Sequence, residues 1–170
     1  SVLILTLIIG LLAFKTRNDQ WNVWKLNKDI TFYNNSPLLS TADGPYFLGQ
    51  AKYLNENKPI SLQYEKRFFP EYDQEKGNKK INSEISTFDI SLLPISINYF
   101  SIFYDNDLLL TANKLIPITA LITAILITVF FIILGFGYEG VVAGLGASLS
   151  QSIYVRTSIG RVDTDLLNVG

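Results

Sequence analysis

The 170-residue chain contains no cysteine, no histidine and no methionine. Without cysteine there is no disulfide framework and no thiol nucleophile. Without cysteine and histidine together there is no zinc site of the usual sulfur and nitrogen type. Neither a Ser-His-Asp nor a Cys-His arrangement can be assembled from these residues. Any metal must be held by oxygen donors, which points to Mg²⁺ or Mn²⁺. A surplus of one charge is missing too. The 14 Lys and Arg against 15 Asp and Glu leave a net charge of −1, which gives no electrostatic case for nucleic acid. The missing methionine, with an apolar stretch starting at Ser1, is what a piece of a longer protein cut at both ends is expected to show.

What is present is apolar sequence gathered in blocks. From Leu115 to Tyr138 run 24 residues without a charge. About 20 apolar residues suffice to span a bilayer, and a soluble core helix of that length would carry a polar face. Residues 115–138 are therefore expected to cross a membrane. Residues 1–14 are equally apolar but too short to span alone. They could be the core of a signal peptide, but no basic segment precedes them and no small-residue cleavage site follows. They read instead as a first transmembrane helix that has lost its start.

Residues 15–114 form a long polar region holding most of the charge. Loops of this length are usually functional or disordered, and the aromatic content argues against full disorder. Within the region, 45–55 fits a short helix, 70–84 is the most disorder-prone stretch, and 88–110 mixes apolar and aromatic residues in a way that suits a membrane interface. After the main span, a tight turn is expected at Gly137–Gly140. A third span is expected over 139–158. There Gly140, Gly144, Ser148 and Ser152 recur every four residues, a small-residue stripe suited to close helix packing in membranes. The fold class is thus an all-α polytopic membrane protein with a large first loop.

This layout has a topological consequence. If 115–138 crosses and 139–158 returns, positions 115 and 160 emerge on one face, together with the long loop. Asp43 and Asp163 then share a side, and Tyr138 lies on the other. Charge counting does not orient the hairpin, because long loops translocate largely regardless of their lysines.

Two acidic motifs gain meaning from that placement. In Asp163-Thr164-Asp165, carboxylates one residue apart can both reach a divalent cation set against a phosphate leaving group. Alone, such a triplet is equally a helix cap before Leu166. In Thr41-Ala42-Asp43-Gly44-Pro45, Asp43 is either a turn and capping residue or a partner for Asp163. Arg156 and Arg161, before the triplet, either reach for the interface or bind an acidic or phosphate group.

The stretch from Tyr154 to Leu167, with Tyr-x-Arg-Thr ahead of Gly160 and Asp163-Thr164-Asp165, resembles the second external loop of oligosaccharyltransferase catalytic subunits, the bacterial single-subunit type most closely. Ser40 to Phe47 is similar to the family's first-loop motif, in which Asp-Gly precedes aromatics. The resemblance implies a glycosyltransferase fragment of the GT-C architecture, with 159–170 as the start of the second external loop. It implies transfer of an oligosaccharide from a polyprenyl (pyro)phosphate lipid to the Asn of Asn-x-Ser/Thr in an acceptor polypeptide. Asp43 and Asp163 would hold Mg²⁺ or Mn²⁺, Asp165 would support the site, and Arg156 would steady its charge. The active face would be periplasmic, extracellular or lumenal, in a bacterial inner membrane for the type it most resembles. A fragment ending here lacks the family's later external loop and soluble domain and is expected to be inactive alone. Two other readings stand beside this one: another polyprenyl-phosphate-sugar glycosyltransferase, and a non-enzymatic transporter or assembly protein.

Overall fold

The computed structural model describes residues 1–33, 36–41, 43–58 and 91–162. Among these, helix dominates. In chain order come α1 (Val2–Leu26), α2 (Lys28–Thr31), a two-stranded ribbon of β1 (Phe32–Tyr33) and β2 (Ser36–Pro37), and α3 (Gly44–Asn55). Then follow α4 (Leu92–Ser101), a 3₁₀ turn (Ile102–Tyr104), α5 (Leu108–Ile133), α6 (Gly137–Leu149) and α7 (Gln151–Arg156). The ribbon is antiparallel, with Phe32 opposite Pro37 and Tyr33 opposite Ser36. The stretch 70–84, Asp163 and Asp165 lie outside the described residues.

α1 does not stop where its apolar run ends at Phe14. The next twelve residues contain no glycine or proline to break it, and Lys15 pairs with Asp19 one turn on at 2.6 Å. The helix therefore carries its charged half well past the apolar one. Its apolar part, about 20 Å long at 1.5 Å per residue, falls short of a ~30 Å hydrocarbon core.

α5 starts seven residues before the uncharged run. Asp107 is its N-cap, with Oδ1 accepting from the Leu110 N–H at 2.9 Å, which satisfies one of the helix's orphan donors. The turn after α5 falls earlier than the expected Gly137–Gly140. Gly135 adopts φ +90°, a conformation open to glycine, and Gly137 already opens α6. Glu139 then sits in the first turn of α6, where a carboxylate complements the helix dipole. The return helix is also not continuous over 139–158. Ser150 is extended, with φ −60° and ψ 132°. Its Oγ accepts from the Ile153 N–H at 3.3 Å and caps α7.

α1, α5 and α6 pack as a three-helix unit. Gly140, Gly144 and Ser148 are the buried residues of α6, so the small-residue stripe is its packing face. A Cβ on Gly140 would come within 2.8 Å of the Thr128 carbonyl oxygen, and one on Gly144 would overlap Thr128 Oγ1. Ser152 leaves the stripe and is exposed, because the break at Ser150 resets the helical phase. The centre of the unit is Ile9, Ala13, Ala120 and Ala124, with Val141 and Leu145 against them.

The outside of this unit is apolar as well. Leu3, Leu7, Leu11, Leu126, Phe130 and Val142 are all exposed. Among the described helices, α5 is the one long and apolar enough to cross a membrane. The core helix of a soluble protein would be mostly buried, whereas only 28% of the apolar stretch of α5 is. A second apolar cluster sits beyond the end of the unit that carries Lys114. It joins Ala51 of α3, Leu93 and Ile97 of α4, Ala112 and Leu115 of α5, and Val162, with Leu39, Phe47, Leu48 and Leu108 at its edge.

Candidate active site

The two motif-bearing segments meet in this second cluster. Asp43 occupies the N-cap position of α3, a helix started by Gly44 and Pro45 and held by Phe47 and Ala51 in the cluster. Val162, which directly precedes Asp163, is buried in the same cluster. The backbones are joined directly: the Ser40 N–H donates to the Gly160 carbonyl at 2.8 Å.

Three polar side chains from the helices fix the segment that leads to Asp163. Gln20 Oε1 accepts from the Ile159 N–H at 2.8 Å. Asn113 Oδ1 accepts from the Gly160 N–H at 2.6 Å, while its Nδ2 donates to the Leu109 carbonyl at 2.9 Å. Gly160 itself has φ +82°, and a Cβ there would lie 2.5 Å from the Trp24 ring and 2.6 Å from the Leu38 carbonyl oxygen. Only glycine suits that position, because left-handed backbone and lack of space coincide. Buried backbone groups need partners, and those of the Ile159 amide and of the Gly160 amide and carbonyl come from three different parts of the chain.

Arg17 is the third support, and its side chain is fully buried. Its Nε and Nη2 both donate to Thr157 Oγ1, at 3.1 and 3.0 Å. Nη1 donates to Thr16 Oγ1 at 3.0 Å and to the carbonyl of Ser148. Thr157 sends its own hydroxyl proton to the Ile153 carbonyl at 2.7 Å, so its lone pairs are free to accept both guanidinium N–H groups. The guanidinium lies 5.1 Å from the centre of the Tyr154 ring, a cation–π distance. Ser148 is at the end of α6, where helix carbonyls lack intrahelical partners and cations are favoured. Arg17 thus binds the break between α6 and α7 to α1. The sequence reading passed over Arg17, Gln20 and Asn113. The only local signal was polar residues sitting where the apolar runs begin or end.

The capping role open to Asp43 is not taken up by its side chain, which makes no capping hydrogen bond. The residue is exposed. Two residues before it, Thr41 Oγ1 is buried with no hydrogen-bond partner among the described residues. Carboxylate and hydroxyl oxygens are hard donors of the kind Mg²⁺ and Mn²⁺ prefer, so the donor chemistry at this end of α3 fits such an ion. Among the described residues no three acidic side chains gather as a metal-binding group, and Asp163 and Asp165 lie outside those residues. Arg156 ends α7 and is exposed. Arg161 is half-buried, and its Nε has no partner among the described residues. Compared with known proteins, the chain matches no protein-family model, no curated protein and no solved structure.

Proposed function

We propose that the chain is the N-terminal membrane part of a GT-C glycosyltransferase, an oligosaccharyltransferase catalytic subunit. In this reading the full-length enzyme, not this part alone, moves a glycan from a polyprenyl (pyro)phosphate lipid to the Asn of an Asn-x-Ser/Thr sequence. The observation that carries the reading is the Ser40 to Gly160 backbone hydrogen bond. It joins the segments bearing the two acidic motifs, and the burial of Val162 with Phe47 in one cluster supports the same neighbourhood. The exposed apolar surface of α1, α5 and α6 is consistent with a multi-pass membrane placement, and the resemblance alone implies the outer face for the acidic motifs.

The chemistry asks two things of these residues. The acceptor amide nitrogen is a poor nucleophile, because its lone pair is delocalised into the carbonyl, the resonance that stiffens peptide bonds. The Asp43 carboxylate, uncommitted to capping, accepts hydrogen from that amide and weakens the delocalisation. Asp163 and Asp43 together hold the cation, Asp165 supports them, and Arg156 balances their charge. Mg²⁺ or Mn²⁺ bound there supplies the positive charge that stabilises the departing phosphate. Asn113 and Gln20 hold Gly160 and Ile159, the residues that lead to Asp163, beside the segment that leads to Asp43, which is positioning rather than chemistry.

The test is glycan transfer to a sequon peptide by the full-length protein carrying Asp43→Ala or Asp163→Ala. Transfer is expected to fall at least 100-fold in each, in line with removal of a group that stabilises transition-state charge, with membrane expression unchanged. Wild-type rates in both variants would overturn the proposal.

A further inference from the structure

Asn113 is the polar exception in a buried, apolar stretch of α5. Its neighbours Ala112, Leu115, Ile116 and Pro117 are buried, and Asn113 itself is 0% exposed. Burying an amide is costly unless its hydrogen bonds are made, and both ends of this one are committed. Nδ2 donates to the Leu109 carbonyl one turn back at 2.9 Å, and Oδ1 accepts from the Gly160 N–H at 2.6 Å. The first bond lies within α5. It turns the amide so that its oxygen, the atom able to accept, faces Gly160.

Packing alone would not call for this residue, since an apolar side chain could fill the same space. A buried Asn in an otherwise apolar helix face fixes register at a cost in stability, and register matters at this point. Ile159, Gly160 and Val162 are buried, with Arg161 half-buried between them. A slip of one residue would carry Arg161 towards the surroundings of Val162, which include Ala51, Leu93 and Ile97. A charge among those side chains would be costly.

Gly160 is also where α5 meets both acid-bearing segments. Its amide is held by Asn113, and its carbonyl accepts from the Ser40 N–H. Ser40 lies three residues before Asp43, and Gly160 three residues before Asp163. We propose that Asn113 is a positioning residue for the cation site. By fixing Gly160 it sets where Asp163 stands relative to Asp43, and so how tightly Mg²⁺ or Mn²⁺ is held. With both polar ends committed, Asn113 contributes no ligand of its own. The proposal rests on the reading of Asp43 and Asp163 as cation ligands.

The test is Mn²⁺ binding to the full-length protein in detergent, without substrate, followed by the electron paramagnetic resonance signal of free Mn²⁺. Asn113→Ala removes both hydrogen bonds, and Asn113→Leu does so while keeping the volume. Each is expected to weaken Mn²⁺ about tenfold, the usual scale for a group that orients a metal ligand. In an Asp163→Ala background the same changes should have less than about a twofold effect, because a residue that acts through Asp163 then has nothing to position. Equal weakening in both backgrounds overturns the proposal, since a general loss of structure would act in either. Unchanged affinity in the folded variants overturns it too. So does failure of both variants to fold, judged by near-ultraviolet circular dichroism, because Asn113 would then hold the fold and not the site. Absence of Mn²⁺ binding by the wild type would overturn the reading of the acids as ligands, and the proposal with it.

Discussion

Gly160 lies against Trp24, its carbonyl held by Ser40 and its amide by Asn113. A Cβ at Gly160 would come within 2.5 Å of the Trp24 ring. The contact places the residues just before Asp163 on the charged half of α1 and beside the segment that leads to Asp43.

Gly160→Ala is therefore expected to be costly. Its left-handed backbone carries roughly 1–2 kcal/mol against a side chain, and overpacking against Trp24 and Leu38 adds about 1–3 kcal/mol. A clear drop in thermal midpoint should appear in detergent. Trp24→Ala should partly rescue it by opening space, though not the backbone term. A melting curve equal to wild type would show that this segment is not packed as described.

Arg17 and Thr157 give a second test. Thr157→Val removes the acceptor of two guanidinium N–H groups and leaves buried charge unsatisfied, at about 1–3 kcal/mol or more. Arg17→Met removes the charge itself. Because a hydrophobic replacement of a buried charge is often tolerated while half of a buried pair is not, the double variant should be less destabilised than the sum of the singles. A coupling of roughly 0.5–3 kcal/mol is expected from a double-mutant cycle. Arg17→Lys should not restore stability, since an ammonium lacks the fork that spans Thr157 and Ser148. Strict additivity would show that the two residues act separately.

How much of this was legible in the sequence depends on how local its cause is. The 24 uncharged residues predicted α5, and four-residue spacing predicted which face of α6 is buried, because both follow from a single helix. Asp-Gly-Pro announced the start of α3 for the same reason. The break at Ser150 was not legible. Ser-Gln-Ser contains no glycine or proline, and the break is matched by Arg17, 131 residues away, taking the Ser148 carbonyl. Lys15 and Arg17 both follow the first apolar block, yet Lys15 is exposed and Arg17 is buried. Burial of a charge depends on partners elsewhere in the chain. The turn was misplaced because Gly135 and Gly137 are both able to end a helix, and only the positive φ at Gly135 distinguishes them. Of the candidate site, the sequence named the acids but not the residues that hold their segments together.

The small-residue face of α6 can be tested by comparing two glycines two residues apart. A Cβ at Gly144 would overlap Thr128, whereas one at Gly146 meets nothing within 4 Å. Gly144→Ala should destabilise the three-helix unit by about 1–3 kcal/mol. Gly146→Ala should be neutral or stabilising by up to about 1 kcal/mol, since alanine favours helix over glycine. Denaturant unfolding in mixed micelles distinguishes them, and equal effects at both positions would contradict the packing of α6 on α5.

The chain's lack of cysteine makes it suited to a topology test, because each introduced thiol is the only one present. Lys52 on α3 and Tyr138 at the start of α6 are both exposed, and Ser158 is half-buried beyond α7. If α5 crosses the membrane and the α6–α7 segment returns, Lys52→Cys and Ser158→Cys react with a membrane-impermeant maleimide from one side. Tyr138→Cys then reacts only from the other side or after permeabilisation. The prediction matters for the chemistry, because Asp43 can share a cation with Asp163 only if their segments emerge together. Labelling of all three from one side would mean that the hairpin does not cross, and the membrane transferase reading would fail with it. Labelling of Lys52→Cys and Ser158→Cys from opposite sides would contradict the Ser40 to Gly160 bond, since that bond requires both segments on one face.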